Sequence, residues 1–335
     1  MMRKPVIAIT AGDPAGIGPE VTLKALAAVR RSASLRIVVI GDLRVFQDTA
    51  RRLRRRLPPW RVWQPDDHPL DGHVPLTFLD CANRVRFVPG RSSAQAGAAS
   101  LAYLRHALLL WRARRLDALV TAPVTKWAVA RVEPRFVGHT EYLAKAMMCR
   151  SPVMMFVSER LRVVLLTRHL PLRRVPQAID ARLLRRSLRF TEEALRQHFG
   201  IHHPRIAVCG INPHAGEAGR CGREEQAVMA PVLRALRRTG LRCEGPFAAD
   251  GLFGAGTARY DAIVCPYHDQ GLIPFKMASR DQGCQLTIGL PIVRTSPDHG
   301  SALDIAGRGI ADPGSMRYAL ELAVRLTEGQ SQSQK

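Results

Sequence analysis

Short apolar runs of strand type alternate with amphipathic helical segments along almost the whole chain, and this alternation restricts the fold. The first two apolar runs, residues 6–10 and 35–40, are each followed by a segment with apolar residues at helical spacing. Strands that alternate with helices form mostly parallel sheets whose faces the helices cover. A length of 335 residues allows two domains or one large α/β unit. The sequence therefore predicts an α/β protein.

The same pattern continues to the end of the sequence, without internal repeats. Strands are predicted at residues 6–10, 35–40, 76–79, 117–121, 153–157, 163–166, 206–209, 262–265 and 285–288. Helices are predicted at residues 19–31, 45–57, 93–115, 181–199, 223–238, 302–307 and 315–326. A Pro-rich connector is expected at residues 58–69, and residues 328–335 are expected to be a polar tail without regular structure.

The chain is strongly basic, with a formal net charge of +22 at pH 7. Such a charge invites a nucleic-acid-binding interpretation. However, 44 of the 50 basic residues are Arg spread over amphipathic helices, and no zinc finger, recognition helix or aromatic-basic stacking motif accompanies them. We expect most of them to lie on solvated helix faces, where their field steers an anionic small substrate. A nucleic-acid-binding protein remains the alternative from outside the enzyme class.

Neither a membrane nor an oxidising compartment is indicated. No apolar run approaches the roughly 18 residues of a membrane span, and the N-terminus lacks the apolar core of a signal peptide. The seven cysteines are odd in number and form no C-x-x-C pair. Several lie inside apolar strand-like runs, where Cys behaves as a small buried hydrophobe. We therefore expect a cytoplasmic protein in a reducing environment.

Three histidines follow predicted buried strands: His169 in T-R-H-L-P-L, His214 in I-N-P-H-A-G-E and His268 in Y-H-D-Q-G. Ligands of open α/β sheets gather just beyond the carboxyl ends of strands. Three neutral imidazoles that converge there, with one coordination position left open, suit a catalytic divalent metal. A single His after a strand is more often a hydrogen-bonded structural residue, but the three together favour a metal site.

A Gly-rich segment, A-G-D-P-A-G-I-G-P-E, follows the first strand at residues 11–20. Its glycines allow the backbone to approach a ligand closely, and the N-terminus of the next helix can hold negative charge. The spacing matches neither the G-x-G-x-x-G fingerprint nor a P-loop. A tight strand-to-helix turn is an equal alternative. A similar G-D-G-I-G-P-E turn opens the β-decarboxylating dehydrogenases of the isocitrate and isopropylmalate type.

Eight segments in a fixed order make a wider resemblance specific. They are A-G-D-P-A-G-I-G-P-E, D-A-L-V-T-A-P-V-T-K, V-G-H-T-E-Y-L-A, L-T-R-H-L-P-L, I-N-P-H-A-G-E, Y-H-D-Q-G-L-I-P-F-K, T-I-G-L-P-I-V-R-T-S-P-D-H-G and A-L-D-I-A-G-R-G. Together they span residue 11 to about residue 310. On these segments the chain resembles the family of 4-hydroxythreonine-4-phosphate dehydrogenases of pyridoxal phosphate biosynthesis.

The resemblance implies an isopropylmalate dehydrogenase-like fold with two α/β domains, an active-site cleft between them and no Rossmann fingerprint. The first domain is expected to be discontinuous, with residues 1–130 and 290–335, and the second to comprise residues 131–289 with the metal-site histidines. The implied cofactors are NAD or NADP and one divalent metal per site, Zn, Mg or Co. The resemblance also implies a homodimer whose active site lies at the interface. It does not assign the residues that bind the dinucleotide.

The resemblance also assigns roles to individual residues. His169, His214 and His268 match the metal ligands. The substrate contacts match His139, Thr140, Lys276, Gln285 and Arg294. A substrate with a phosphate and a carboxylate needs fixed Arg and Lys partners, so these assignments make chemical sense. Lys276 is also a catalytic candidate, and Asp250 and Asp269 are candidates for orienting imidazoles or relaying a proton, although either could be an ordinary turn carboxylate.

The implied reaction is oxidation of the C3 hydroxyl of 4-phosphooxy-L-threonine, followed by decarboxylation to 3-amino-2-oxopropyl phosphate. The metal would act as a Lewis acid on the C3 oxygen. Two positions depart from the family pattern, because Gln285 stands where Asn is usual and Gly251 where Thr commonly follows Asp. They leave open a related dehydrogenase that acts on a four-carbon sugar-acid phosphate or a dihydrodiol dicarboxylate. A metal-binding regulatory descendant without turnover is a further alternative.

Overall fold

The computed structural model describes residues 4–28, 35–63 and 76–333, with the side chains of residues 329–333 left out. The chain forms two compact units, Met1–Pro152 with Leu290–Lys335, and Val153–Gly289. Residues 131–152 therefore lie in the first unit, whereas the sequence placed them in the second domain. The predicted α/β class is confirmed, because strands and helices alternate along most of the described chain.

The strands are β1 Val6–Thr10, β2 Arg36–Gly41, β3 Arg61–Trp63, β4 Leu76–Asp80, β5 Ala118–Thr121, β6 Val153–Ser158, β7 Arg162–Leu165, β8 Ile206–Cys209, β9 Cys243–Phe247, β10 Ala262–Cys265, β11 Gly283–Ile288 and β12 Val293–Pro297. The α-helices are α1 Gly18–Ala28, α2 Leu43–Arg52, α3 Ala94–Arg112, α4 Lys126–Ala130, α5 His139–Ala146, α6 Val175–Ala178, α7 Ala181–Phe199, α8 Ala230–Arg238, α9 Ala249–Gly251, α10 His268–Ser279 and α11 Gly314–Ser333. Short 3₁₀ or π turns occupy Leu172–Arg174, Pro213–Gly219, Glu225–Met229, Leu252–Gly256 and Thr257–Arg259.

In the first unit the strands follow the order β3-β4-β2-β1-β5-β12, and every neighbouring pair is parallel. Ala8 in the central strand pairs with Val38 of β2 on one side and Leu119 of β5 on the other. All five residues of β1 are buried, as expected for a parallel strand that helices cover on both faces. Helix α11 packs against β12 and β5, so the C-terminal segment completes this unit.

In the second unit the strands follow the order β11-β6-β7-β10-β8-β9. The β11–β6 and β6–β7 pairs are antiparallel, and the remaining pairs are parallel. A core cluster lies beside these strands and includes Val163, Cys209, Cys265 and Phe275, all with less than 1% exposure. The carboxyl ends of β7, β10 and β8 therefore lie side by side at one edge.

Helix ends with capping residues agree with the sequence, whereas ends without them do not. Helix α7 coincides with the predicted range 181–199, because the Asp180 side chain accepts the Leu183 N–H and Gly200 ends the helix at φ +67°. Helix α2 ends at Arg52, well before the predicted residue 57. Helix α11 continues to Ser333, so the prediction of an unstructured tail at 328–335 is wrong for its described part.

The fold also corrects the predictions for two segments that contain glycine. Residues 302–307 form turns instead of a helix, because Ala302 and Gly307 have φ values of +40° and +79°. Helix α10 was not predicted, since it contains Gly271 and Pro274, which usually interrupt helices. It forms because Gly271 allows close packing, and a Cβ there would lie 2.6 Å from Val163 Cγ1. Residues 29–31 and 64–69 of the predicted first helix and connector lie outside the described residues.

Candidate active site

The three histidines of the predicted metal site follow three parallel strands that are neighbours in the order β7-β10-β8. His169 comes after β7, His268 begins α10 after β10, and His214 comes after β8. His169 and His214 are exposed, and His268 is half-buried. The fold thus places all three at the carboxyl edge of the second unit, where the sequence predicted them.

His169 and His268 are held near each other by hydrogen bonds between their loops. The Thr167 backbone N–H and hydroxyl both donate to the Pro266 carbonyl, at 3.1 and 2.7 Å. The two imidazole centroids lie 6.0 Å apart. Imidazoles that share one tetrahedral ion have centroids roughly 5 to 6 Å apart, because each nitrogen lies about 2.1 Å from the metal. The spacing of this pair therefore fits ligation of one ion.

Asp269 orients the His268 ring. His268 Nδ1 lies 2.7 Å from Asp269 Oδ1. An ionised carboxylate only accepts hydrogen bonds, so Nδ1 carries the proton in this pair, and in the neutral imidazole Nε2 then keeps its lone pair. A carboxylate that fixes the tautomer of a metal-binding imidazole is a common arrangement. This contact agrees with the orienting role that the sequence suggested for Asp269.

His214 lies on a backbone turn of the opposite hand to an ordinary helix. Its φ value is +52°, and residues 215–218 also have positive φ. Such values are uncommon for residues with a Cβ and cluster at functional sites. Within the described part of the chain, no three His, Cys, Asp or Glu side chains are grouped as ligands of one metal ion. Imidazole nitrogens are suitable ligands for a divalent ion, and the spacing of His169 and His268 fits one ion. The three imidazoles do not, however, gather around one point within the described part of a single chain.

Lys276 and Asp250 lie at the surface of the same unit. On α10 the exposed positions Asp269, Ile273 and Lys276 follow one another at helical spacing and form one stripe. Lys276 therefore lies on the helix face that begins beside His268. Along the helix axis the two residues are about 12 Å apart, at 1.5 Å per residue. Asp250 is an exposed residue of the short helix α9.

Gln285 is buried in β11, with 5% exposure. Its amide Nε2 donates to Thr287 Oγ1 at 2.8 Å. Residues two apart on a strand lie on the same face, so this contact follows from the strand itself. The longer arm of Gln, compared with the usual Asn, is thereby held against a neighbouring hydroxyl.

Arg294 forms the centre of a buried polar cluster in the first unit. It lies in β12 with 2% exposure, and its guanidinium donates to Thr121 Oγ1 at 2.5 Å and to Thr140 Oγ1 at 3.5 Å. The hydroxyls come from the end of β5 and the first turn of α5. The predicted substrate residues Arg294 and Thr140 are thus brought together.

His139 lies in the same cluster as a neutral imidazole. Burial, followed by the positive charges of Arg294 and Lys126, holds the pKa of His139 well below its usual value. Its Nε2 is shielded from solvent and has no hydrogen-bond partner among the described residues. A buried polar nitrogen beside two cations is suited to receiving a polar group of an anionic ligand.

Sequence reasoning assigned no role to Lys126 or Thr121. Both lie in the segment T-A-P-V-T-K, which belongs to the family resemblance. The signal that could have found them is their position at the carboxyl end of β5, where Thr121 is the last residue of the strand and Lys126 begins the next helix.

The Gly-rich segment after β1 is a packed turn. Gly12 has φ +73° and lies against the Pro123 carbonyl, where a side chain has no room. The buried Asp13 carboxylate accepts the Ala15 N–H and the Ser92 hydroxyl. These contacts support the turn interpretation, since the polar groups of the segment bind neighbouring loops.

Asp42 occupies the position at which a Rossmann domain presents its ribose-binding carboxylate, directly after the second strand. Here the side chain is 3% exposed and accepts hydrogen bonds from the Tyr103 hydroxyl and the Asn83 backbone N–H. Burial of Tyr103, followed by the Asp42 carboxylate, raises the pKa of Tyr103 well above its usual value. The carboxylate is therefore engaged in holding loops together, in agreement with the absence of a Rossmann fingerprint.

None of the helices in the described ranges is long and apolar enough to cross a membrane.

Comparison with known proteins gives a consistent result over most of the chain. A sequence model of the family described as pyridoxal phosphate biosynthetic protein PdxA matches residues 33–323. A relative from Aromatoleum aromaticum named 4-hydroxythreonine-4-phosphate dehydrogenase is 45% identical over 332 residues, which covers 97% of this chain and 98% of the relative.

Solved structures agree. The 4-hydroxythreonine-4-phosphate dehydrogenase of Klebsiella pneumoniae is similar at a TM-score of 0.84 and 34% identity, covering 97% of this chain and 98% of that one. A terephthalate 1,2-cis-dihydrodiol dehydrogenase from Burkholderia xenovorans is similar at a TM-score of 0.64 and 33% identity, covering 96% and 98% of the two chains.

Proposed function

This chain belongs to the family of pyridoxal phosphate biosynthetic protein PdxA, and from that premise we propose that it is an NAD- or NADP-dependent 4-hydroxythreonine-4-phosphate dehydrogenase. It would transfer the hydride from C3 of 4-phosphooxy-L-threonine to the nicotinamide, and the C3 hydroxyl would release its proton. The bond between C2 and the carboxylate of the 3-keto acid would then break, releasing carbon dioxide. Uptake of a proton at C2 gives 3-amino-2-oxopropyl phosphate.

The observation that carries this proposal is the polar cluster around the buried Arg294 of the first unit. Arg294 is fixed by two hydroxyls, and its planar guanidinium suits a phosphate or carboxylate. Lys126 adds a second positive charge close enough to affect His139. Neutral His139 and the Thr140 hydroxyl can bind polar substrate atoms without adding charge. A doubly anionic phosphorylated amino acid matches this combination.

His169, His214 and His268 would hold one divalent ion, Zn, Mg or Co. When bound, such an ion supplies Lewis acidity to the C3 oxygen. Asp269 keeps the His268 Nε2 lone pair available by accepting from Nδ1. We assign the proton delivered to C2 to Lys276 Nζ, since Lys276 shares the exposed stripe of α10 with Asp269. We also assign a proton-relay role to Asp250, because its carboxylate is exposed at the surface of the second unit.

Two features of the second unit support a homodimer with a shared active site. The described residues of one chain do not gather three metal donors. Large apolar side chains near the paired histidines are also exposed: Leu170 at 43%, Leu172 at 67%, Ile273 at 60% and Met277 at 76%. A second copy of the chain would cover these side chains and complete the donor set. We also assign the enzyme to the cytoplasm, where its seven free cysteines stay reduced.

A second candidate substrate is a cyclic dihydrodiol dicarboxylate. The similarity to the terephthalate dihydrodiol dehydrogenase favours it, as does Gln285 at a position where the family usually has Asn. Arg294 and Lys126 could bind two carboxylates as well as one carboxylate and one phosphate. A four-carbon sugar-acid phosphate is the third candidate substrate, since related dehydrogenases of the same family act on such compounds.

Steady-state assays with the purified protein test these proposals. The substrates would be 4-phosphooxy-L-threonine, a four-carbon sugar-acid phosphate and a dihydrodiol dicarboxylate, each with NAD or NADP and with each metal. We expect the highest kcat/KM for 4-phosphooxy-L-threonine, with turnover lost on chelation. A higher kcat/KM for the dihydrodiol would favour the second candidate. Turnover of none of them, together with salt-sensitive binding to DNA or RNA, would overturn the enzyme assignment.

A further inference from the structure

The loop that carries His214 has an unusual backbone. Residues 214–218 have φ values of +52°, +52°, +83°, +42° and +56°, and only the third residue is Gly. A run of left-handed residues with side chains is disfavoured, because each Cβ approaches the following carbonyl oxygen. Such a run persists only where surrounding contacts hold it.

The contacts that hold this loop converge on the Glu225 carboxylate. Glu225 is 2% exposed. Its Oε1 accepts the backbone N–H groups of Ile211 and Asn212, both at 2.8 Å. Its Oε2 accepts the Asn212 side-chain amide at 3.0 Å. These partners are all donors, as a buried carboxylate requires.

The loop is built to approach this carboxylate closely. A Cβ at Gly216, the centre of the left-handed run, would lie 2.7 Å from Glu225 Oε2. A Cβ at Gly222 would collide with the Asn212 amide. Glycines at both positions therefore let the loop fold around Glu225. The carboxylate itself begins the π-helical turn Glu225–Met229, a type of irregularity that often marks functional sites.

The same loop is joined to the segment of a second metal-site histidine. Gln270 Nε2 donates to the Gly210 carbonyl at 2.8 Å. Gln270 lies two residues after His268, and Gly210 directly follows β8 and precedes the loop that Glu225 holds. Anchoring residues 210–212 therefore fixes the His214 loop relative to the start of α10.

We infer that Glu225 is a positioning residue that holds the His214 loop in its left-handed conformation for metal binding. The inference rests on the proposed metal site, and it assigns a role to a side chain that touches neither substrate nor metal. Partners that orient metal ligands from outside typically change metal affinity by about 10- to 100-fold.

The test compares Glu225→Gln with Glu224→Gln as a matched control. Both variants remove one negative charge at neighbouring positions. Glu224 Oε2 accepts the Asn212 side-chain amide at 2.8 Å, and the Glu224 carboxylate also accepts the backbone N–H groups of Glu224 and Arg223, which lie outside residues 210–222. A second variant, Gly222→Ala, displaces Asn212 without changing the carboxylate, and it keeps the test decisive if Glu225→Gln folds poorly.

Two measurements are made on the full-length protein. Titration of the metal-free protein with Co²⁺ gives the affinity and the visible absorption spectrum of the bound ion. Hydrogen exchange of residues 210–222 in the metal-free protein reports on the loop itself. We expect Glu225→Gln and Gly222→Ala to weaken Co²⁺ binding at least about tenfold, to change the spectrum and to speed exchange in this segment. Glu224→Gln should stay within about threefold of the wild type in affinity.

Three outcomes would contradict the inference. One is a Co²⁺ affinity for Glu225→Gln within threefold of the wild type. Another is equal loss of affinity in Glu224→Gln, which would make the effect one of general charge. The third is faster exchange throughout the second unit with an unchanged Co²⁺ spectrum, which would make Glu225 a merely structural residue. Failure of the wild type to bind Co²⁺ would instead overturn the metal site on which the inference rests.

Discussion

The Arg294 cluster of the first unit and the histidine loops of the second unit are built in opposite ways. Arg294, Thr121 and Thr140 are each at most 2% exposed, and the Arg294 guanidinium donates hydrogen bonds to both hydroxyls. His169 and His214 are exposed, and no three donors meet in the described part of one chain. The Arg294 cluster is thus held together within its unit, whereas the three histidines are not gathered by contacts within the described part of one chain.

The two regions differ because a guanidinium and an imidazole differ in the free energy needed to bury them. A guanidinium taken out of water must be paired inside the fold, or the folded state loses several kcal/mol. Its position is therefore fixed before any ligand arrives. An exposed imidazole needs no internal partner, so it can be placed by a metal ion and a second copy of the chain. We expect substitutions in the two regions to separate stability from activity in different ways.

The largest effect is expected at His214. Loss of one metal ligand should remove the Lewis acidity at the C3 oxygen and lower kcat/KM at least about a thousandfold, since several kcal/mol of barrier stabilisation are lost. His214→Asn is the suitable variant, because Asn tolerates the left-handed φ of +52°. The melting temperature should stay within about 2 °C of the wild type, because the side chain is exposed.

Parallel measurements on His202→Asn, an exposed histidine that precedes β8 and lies outside the site, control for loss of an imidazole. A large fall in the melting temperature of His214→Asn would contradict the view that the histidine loops add little to the stability of the fold. Retained turnover would remove His214 from the metal site.

Arg294→Met should have the second largest effect on activity. It should lower kcat/KM but raise the free energy of unfolding. Removing a buried partner of a charged ligand costs about 3 kcal/mol in transition-state binding, or roughly 150-fold in kcat/KM. The free energy of unfolding should rise by about 1 kcal/mol, because an apolar side chain replaces a buried charge near Lys126 and His139. Steady-state kinetics and urea unfolding measure the two quantities.

Arg294→Lys is the control, since it keeps the charge but loses the planar fork. It should lose activity nearly as far as Arg294→Met without the gain in stability. If Arg294→Met is instead less stable than the wild type, the cluster has a structural role in the fold and is not a preformed ligand-binding site.

The contrast between these regions also explains what the sequence could predict. Buried strands such as β1 and β8, and capped helices such as α7, are local patterns and were predicted within about two residues. The positions of the three histidines followed from those strands. Helix α10 and the left-handed loop after β8 were not predicted, because packing at Gly271 and the Glu225 carboxylate determines them from distant positions in the sequence.

His139 should make the stability of the first unit depend on pH. Its pKa is held below the usual value of about 6.5 by burial and then by Arg294 and Lys126. As the pH falls below about 6.5, the unfolded chain takes up a proton that the folded protein does not, so the free energy of unfolding falls. The slope is at most about 1.4 kcal/mol per pH unit and ends at the folded pKa.

Urea unfolding of His139→Asn and the wild type between pH 5 and 8 checks this dependence. The difference between the two proteins should be constant above pH 7 and should shift in favour of the variant as the pH falls. Parallel curves over the whole range would show that His139 is protonated as readily in the folded as in the unfolded chain.

The smallest effect is expected at Gln285. Its amide is already bonded to Thr287 Oγ1, and a neutral hydrogen bond contributes about 1 kcal/mol. Gln285→Asn shortens the arm by one methylene and gives up this bond, so kcat/KM for 4-phosphooxy-L-threonine should change by less than about tenfold. Thr287→Val removes the acceptor without shortening the amide and should change it by a similar factor. A larger loss for Gln285→Ala than for either variant would show that the amide also contacts the substrate. A gain above tenfold for Gln285→Asn would instead mean that Gln285 is adapted to another substrate, and the dihydrodiol dicarboxylate would then become the favoured candidate.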